Sequence, residues 1–136
     1  MKPKDIRWQQ RFQNFKKAFA QLEQAVALKT PDIIQQQGIV QCFEYNFELS
    51  WKTLQDFLST ERGYSDIKGP RPVLEQAFQD GILRDGVTWL DMLKSRNLTA
   101  HLYDEEEVLQ ILKKIREDYF PLFSELKLFF EKHHDR

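Results

Sequence analysis

The strongest constraint on this chain is a spacing. Trp8, Phe12, Phe15, Phe19, Leu22 and Val26 recur at intervals of 4, 3, 4, 3 and 4 residues. That interval places them on one face of a helix, here over about residues 5–28, and on no single face of a strand. The pattern returns with Ile39, Phe43, Phe47, Ser50, Leu54 and Phe57 or Leu58, flanked by Val40 and Trp51. It predicts a second helix over about 34–60, with Gly38 weakening its first turns and Pro31 at its start or in the connection before it. Residues 61–72 hold two glycines and two prolines and read as a loop. A short helix over 73–79 stops near Gly81. A fourth over 86–98 carries Trp89, Met92, Leu93 and Arg96. A last helix from 105 continues past Phe129 with Val108, Ile111, Ile115, Tyr119, Leu122, Leu126 and Phe129 on its seam, and Pro121 inside it predicts a kink.

No stretch reads as a strand. Long amphipathic helices with short connections predict an all-α, up-and-down antiparallel bundle of the four-helix type, in one domain over residues 1–136. The seam aromatics are numerous enough to predict that a surplus is buried against a second copy, in a homodimer or higher homo-oligomer.

Composition narrows the class. Hydrophobic residues are 41% and charged residues 30% of the 136, a balance that supports a packed core rather than disorder. One cysteine excludes an internal disulfide framework and a cysteine-based zinc site. No apolar run approaches the roughly 18 residues of a membrane span, and Met1-Lys2-Pro3-Lys4-Asp5 lacks the apolar stretch of a signal peptide. The expectation is a soluble, cytoplasmic protein with no membrane contact. A net charge of −1 leaves nucleic-acid binding to local patches. Residues 1–17 carry six basic groups against Asp5, interleaved with Trp8, Phe12 and Phe15. That mixture suits phosphates and bases, but the aromatics also form the helix seam and the lysines its wet face, which is the simpler account.

The segment that bears chemistry is Arg96-Asn97-Leu98-Thr99-Ala100-His101-Leu102-Tyr103-Asp104. Arg96 shares a helical face with Trp89 and Leu93, a position the pattern reserves for the core, and a desolvated guanidinium needs a partner. His101 follows five residues later, which on a continuous helix points it about 140° away. The two converge only if the helix ends between them or a second chain supplies one. Asp104, with Glu107 three residues on, has the spacing of a helix N-cap, so His101 and Tyr103 fall in a short connection. Histidine exchanges protons near neutral pH and arginine stabilises charge on a phosphoryl group, so the pair suits RNA cleavage without a metal. The same residues can equally tie two helices together.

Arg-x4-His-x-Tyr, as Arg96…His101-Leu102-Tyr103, resembles the motif of the HEPN superfamily. The similarity is to its bacterial nucleotidyltransferase substrate-binding branch, which includes the HepT toxins. It extends over Phe43-Glu44-Tyr45-Asn46-Phe47-Glu48-Leu49-Ser50-Trp51-Lys52-Thr53-Leu54, Gln76-Ala77-Phe78-Gln79-Asp80-Gly81, Trp89 and Met92, and is most specific over Arg-Asn-Leu-Thr-x-His-x-Tyr-Asp. The resemblance implies a dimerising bundle with the Arg/His motifs of both chains near one cleft. It also implies a separately encoded minimal nucleotidyltransferase partner. In the toxin branch the activity implied is a metal-independent ribonuclease with Arg96 and His101 as catalytic residues, silenced by AMP transfer to Tyr103. The alternative is a non-catalytic subunit that binds a substrate or nucleotide for the nucleotidyltransferase. A plain helical dimer without a site is a third reading.

Supporting roles fall to Asn97 and Asp104, and to Glu44 and Glu48, which stand one turn apart at the edge of the second helix's apolar side and can orient Arg96 or His101. A di-metal reading of that pair fails for want of two Glu-x-x-His motifs, and no metal or cofactor is expected. His133-His134 reads as exposed tail and Cys42 as a small core residue. The acids 104–107 repel phosphate, yet at a helix N-terminus they are stabilising.

Overall fold

The computed structural model describes residues 6–102 and 104–134. Its helices are α1 (Arg7–Val26), α2 (Ile33–Arg62), α3 (Pro70–Gln79), α4 (Gly86–Leu98), α5 (Glu105–Lys114) and α6 (Phe120–His133). Among the described residues there is no strand. Among those residues, too, no helix is long and apolar enough to cross a membrane.

Local chemistry sets the ends. Asp32 caps α2 by accepting from the Gln35 amide at 2.8 Å, and the Gln35 side chain accepts in return from the Asp32 amide at 2.9 Å. This reciprocal cap overrides Gly38, so α2 is helical from its first turn. Gly63 ends it in the left-handed region, at φ 76°. α3 starts at Pro70, inside the predicted loop, because a proline in the first turn loses no bond the helix needs.

Contacts along the helices fix direction. Trp8 at the start of α1 packs its ring edge-on to Phe57 near the end of α2, 5.2 Å between centroids. Midway, the buried Asn46 amide donates to the Ala18 carbonyl at 3.0 Å. The two helices are therefore antiparallel. α6 runs back along α1, pairing Phe19 with Phe120, Phe15 with Phe123 and Phe12 with Phe130. α4 runs against the last rod, since Trp89 meets Phe123 while Ser95 meets Tyr119. The result is the expected up-and-down bundle, with α3 inserted between α2 and α4. α2 packs against every other helix.

Three expectations change. The seam aromatics Trp8, Phe12, Phe15, Phe19, Phe43, Phe47, Phe57, Trp89, Tyr119, Phe123 and Phe130 are all buried within the single chain. The surplus expected against a second copy shrinks to Tyr45 and Phe78, which are exposed, and Trp51, Phe120 and Phe129, which are half-buried. The C-terminal histidines are not exposed tail either. His134 lies edge-on to Trp8, and His133 packs on Phe129 with centroids 4.3 Å apart. Cys42 is half-buried rather than a core residue.

The disturbance expected at Pro121 falls one turn earlier. Residues Ile115–Tyr119 form a π turn in which the Phe120 amide reaches back to the Ile115 carbonyl. Pro121 has no N–H for the Glu117 carbonyl and would crowd it in a regular helix. Widening the preceding turn relieves that conflict without ending the rod.

Trp8 joins α1 to both α2 and α6, with no exposed surface. Trp8→Ala is expected to cost about 3–5 kcal/mol, read as a fall in the urea midpoint with little change in slope. A loss under about 1 kcal/mol would contradict this packing.

Candidate functional site

The buried stripe of α4 is Trp89, Met92 and Ser95. Arg96 lies at its edge rather than on it, with 30% of its side chain exposed, and so does the half-buried Leu93. The long side chain carries its charge out of the core toward the rim of α2. There its Nη1 donates to Glu44 Oε2 at 3.1 Å, and its Nε lies 3.6 Å from Glu48 Oε1. Thr99 completes the group. Its hydroxyl stands 2.6 Å from Glu44 Oε2 and 2.8 Å from the Arg96 carbonyl, and can donate to one of them at a time. The partner a desolvated guanidinium needs is thus supplied by two carboxylates one helical turn apart on α2. Nε is buried without a hydrogen bond, so Glu48 offsets its charge but not its donor. Arg96 opens on a cleft of about 400 Å³ with Gln41, Tyr45, Leu49 and Lys52.

His101 ends a single 3-10 turn, Thr99–His101, that continues α4 before the chain becomes extended at Leu102. It is exposed and lines a different cleft, about 170 Å³, with Ser95, Leu98, Glu107, Gln110 and Lys114. The helix does end between Arg96 and His101, but the tight turn does not bring them to one cavity within the chain. Asp104 caps α5, accepting from the Glu107 amide at 2.8 Å. That bond holds the Asp104 carboxyl below its ordinary range, while the adjacent Asp104 carboxylate pushes Glu107 up. Asn97 is exposed on a third groove, with Val87, Leu90 and Lys94, and meets neither cleft. Tyr103 lies outside the described residues.

Sequence reasoning did not reach a polar cluster beneath the site. The buried Tyr119 hydroxyl stands 2.6 Å from Asp91 Oδ2, to which it donates, and 2.6 Å from Ser95 Oγ. Lys114 Nζ approaches the same Asp91 oxygen at 3.3 Å. Burial would raise the Asp91 carboxyl, but the Tyr119 hydroxyl and the Lys114 ammonium outweigh it and hold the group low. Burial first, then the hydrogen bond to Asp91, pushes the Tyr119 phenol well above its ordinary value. The cluster fixes the last turns of α4, which carry Arg96, against the π turn. A tyrosine on an apolar seam looks like core, and only the crossing of two helices shows what its hydroxyl meets.

A family profile described as "Nucleotidyltransferase substrate binding protein like" matches residues 10–132. The chain belongs to this nucleotidyltransferase substrate-binding family, the HepT-like group its motif resembles. A Haemophilus influenzae relative named "Probable ribonuclease HepT" is 30% identical over 112 residues, covering 72% of this chain and 77% of the relative. Two solved structures share the fold. One, from Thermus thermophilus, has a TM-score of 0.75 at 30% identity, covering 90% of this chain and 99% of its own. The other, from Haemophilus influenzae, is described as revealing the fold of a substrate binding domain of a nucleotidyltransferase. Its TM-score is 0.78 at 27% identity, covering 88% of this chain and 98% of its own. The profile's matched range includes the α2 and α4 segments that line the Arg96 cleft and the α4–α5 segment that lines the His101 cleft.

The Tyr119 cluster has a signed pH dependence. Its phenol is raised in the fold, so its contribution to stability is complete below the unfolded tyrosine value near 10 and is lost as pH rises above that. Tyr119→Phe is expected to cost about 1–3 kcal/mol at about pH 8 and to flatten the fall in stability between about pH 10 and 12. Urea titrations at several pH values measure both; an unchanged alkaline slope would contradict the assignment.

Proposed function

We propose that this chain is the HEPN component of a two-gene nucleotidyltransferase system and cleaves RNA without a metal. The observation that carries the reading is the placement of Arg96. It is a guanidinium drawn to the bundle surface and aimed by Glu44, Glu48 and Thr99, five residues before a histidine that lines its own cleft. Such an arrangement suits two-chain chemistry. The histidine of one copy works with the arginine of a second copy, which the separate clefts of a single chain favour. The homodimer rests on this and on the family resemblance.

In that site His101 takes the proton of a ribose 2′-hydroxyl or returns one to the departing 5′-oxygen. The 2′-oxygen bonds to phosphorus as the 5′-oxygen leaves, giving a 2′,3′-cyclic phosphate and a free 5′-hydroxyl. Arg96 holds the negative charge of the phosphorane between these states. The name of the Haemophilus relative, a probable ribonuclease, supports the reading.

The partner is a separately encoded minimal nucleotidyltransferase, which the family's description supports. Its action on this chain is AMP transfer to Tyr103. The phenol oxygen attacks the α-phosphate of ATP, pyrophosphate leaves, and the phenolic proton is lost to solvent. Tyr103 follows Leu102, itself on the His101 cleft, so the added phosphate competes with RNA for the cationic groups. The alternative, a non-catalytic subunit that presents a substrate to the nucleotidyltransferase, is favoured by the description of the solved Haemophilus structure.

Pure protein is expected to cut RNA in the presence of EDTA. Arg96→Ala and His101→Ala should each lower the rate on the order of 10²–10⁴. Mixed dimers of the two variants should regain activity well above either alone. No cleavage by folded, unmodified parent would transfer the reading to the binding subunit. Cleavage without regain in the mixture would confine the site to one chain. With the cognate nucleotidyltransferase, ATP and Mg²⁺, intact mass should show added AMP that disappears in Tyr103→Phe; its persistence there would remove Tyr103 as the switch.

A further inference from the structure

We propose that Lys114 is a phosphate-binding residue of the His101 cleft, handed from Asp91 to the RNA backbone when substrate enters. The inference rests on the ribonuclease reading and names a residue it lacks.

The cleft needs a cation of its own. Arg96 opens on the other side of α4. Among the described residues lining the His101 cleft, Lys114 is the one lysine or arginine, and Glu107 is there as well. Glu105 and Glu106 stand in the same first turn of α5, with Asp104 as its cap. A phosphodiester brought to His101 alone would meet this acidic turn with nothing to offset it. Lys114, two turns further along the same helix, offsets it from within the cleft.

Lys114 can leave its present partner. Its ammonium lies 3.3 Å from Asp91 Oδ2, with the side chain 47% exposed and Asp91 38% exposed. Ion pairs this open to water are weak, and the four-carbon stem turns freely. Asp91 does not depend on it alone. The same carboxylate oxygen accepts from the Tyr119 hydroxyl at 2.6 Å, and Tyr119 is buried and pinned to Ser95. When the ammonium swings away, Asp91 keeps a fixed donor. Tyr119 therefore makes the exchange cheap, because the tyrosine holds Asp91 and the lysine is left available.

A purely structural ion pair and a transferable cation differ in their response to Asp91. If Lys114 only ties α4 to α5, removing either partner has the same effect. If it is shared with phosphate, removing the carboxylate releases it toward RNA.

The test is binding of a 2′-O-methyl RNA oligonucleotide, which lacks the attacking hydroxyl, by full-length protein across a salt series, with cleavage of ordinary RNA measured in parallel. Thermal melts confirm folding. Lys114→Ala and Lys114→Gln are expected to weaken binding on the order of tenfold and to flatten the plot of log affinity against log salt by about 0.7. Lys114→Arg should restore most of both. Asp91→Asn, whose amide oxygen still accepts from Tyr119, should bind several-fold more tightly. Equal affinity and slope in Lys114→Ala and parent would overturn the assignment, as would Asp91→Asn weakening binding as Lys114→Ala does. If the parent itself neither binds nor cuts RNA, the ribonuclease reading fails and takes this inference with it. If the parent cuts and Lys114→Ala matches it, only the role of Lys114 fails.

Discussion

Everything in this fold rests on α2. Its 30 residues bury Phe43, Phe47, Leu54 and Phe57 on one side, and every other helix packs against it. Its buried hydroxyls are satisfied locally: Ser50 donates to the Asn46 carbonyl and Thr53 to the Leu49 carbonyl, each at 2.6 Å. Asn46 spends its amide on α1. The site depends on the same helix. Glu44 and Glu48 each follow a buried phenylalanine by one residue, Phe43 and Phe47, so the carboxylates that hold Arg96 stand at the rim of the buried face of α2. A side chain held by such a shell has little freedom to wander.

The helices were legible because burial in a bundle is periodic. The intervals in α1 and α2 predict the buried residues Trp8 through Leu22 and Ile39 through Leu58 with little error. Periodicity resolves a face and no more. It put Arg96 on the stripe with Trp89, whereas the interior of α4 closes around Met92 and Ser95 and a long side chain escapes at the edge. The link from Glu44 and Glu48 to Arg96 could be foreseen as a need for counter-charge. The part of Thr99 could not, because a hydroxyl in a helix more often bonds its own backbone. The π turn was half legible, in that Pro121 announced a conflict and the chain resolved it one turn upstream. The Asp91–Tyr119–Ser95 cluster was not legible, since it arises where two helices cross.

The two clefts give the site a division of labour. On the α2 side the charges nearly balance, with Arg96 and Lys52 against Glu44 and Glu48. On the α5 side an acidic turn stands beside a histidine and a lysine. Neither cleft alone is the cationic surface that a polyanion seeks. On the proposed reading a phosphate is met by individual cationic groups, Arg96 and Lys114, rather than by a broad positive surface.

The most direct measurement is a crystal structure of the protein with a 2′-O-methyl RNA bound. The account predicts a dimer in which one phosphate lies within hydrogen-bonding reach of the His101 imidazole of one subunit and the Arg96 guanidinium of the other. RNA bound against one chain alone, or a dimer that places the two motifs on opposite outer faces, would contradict it.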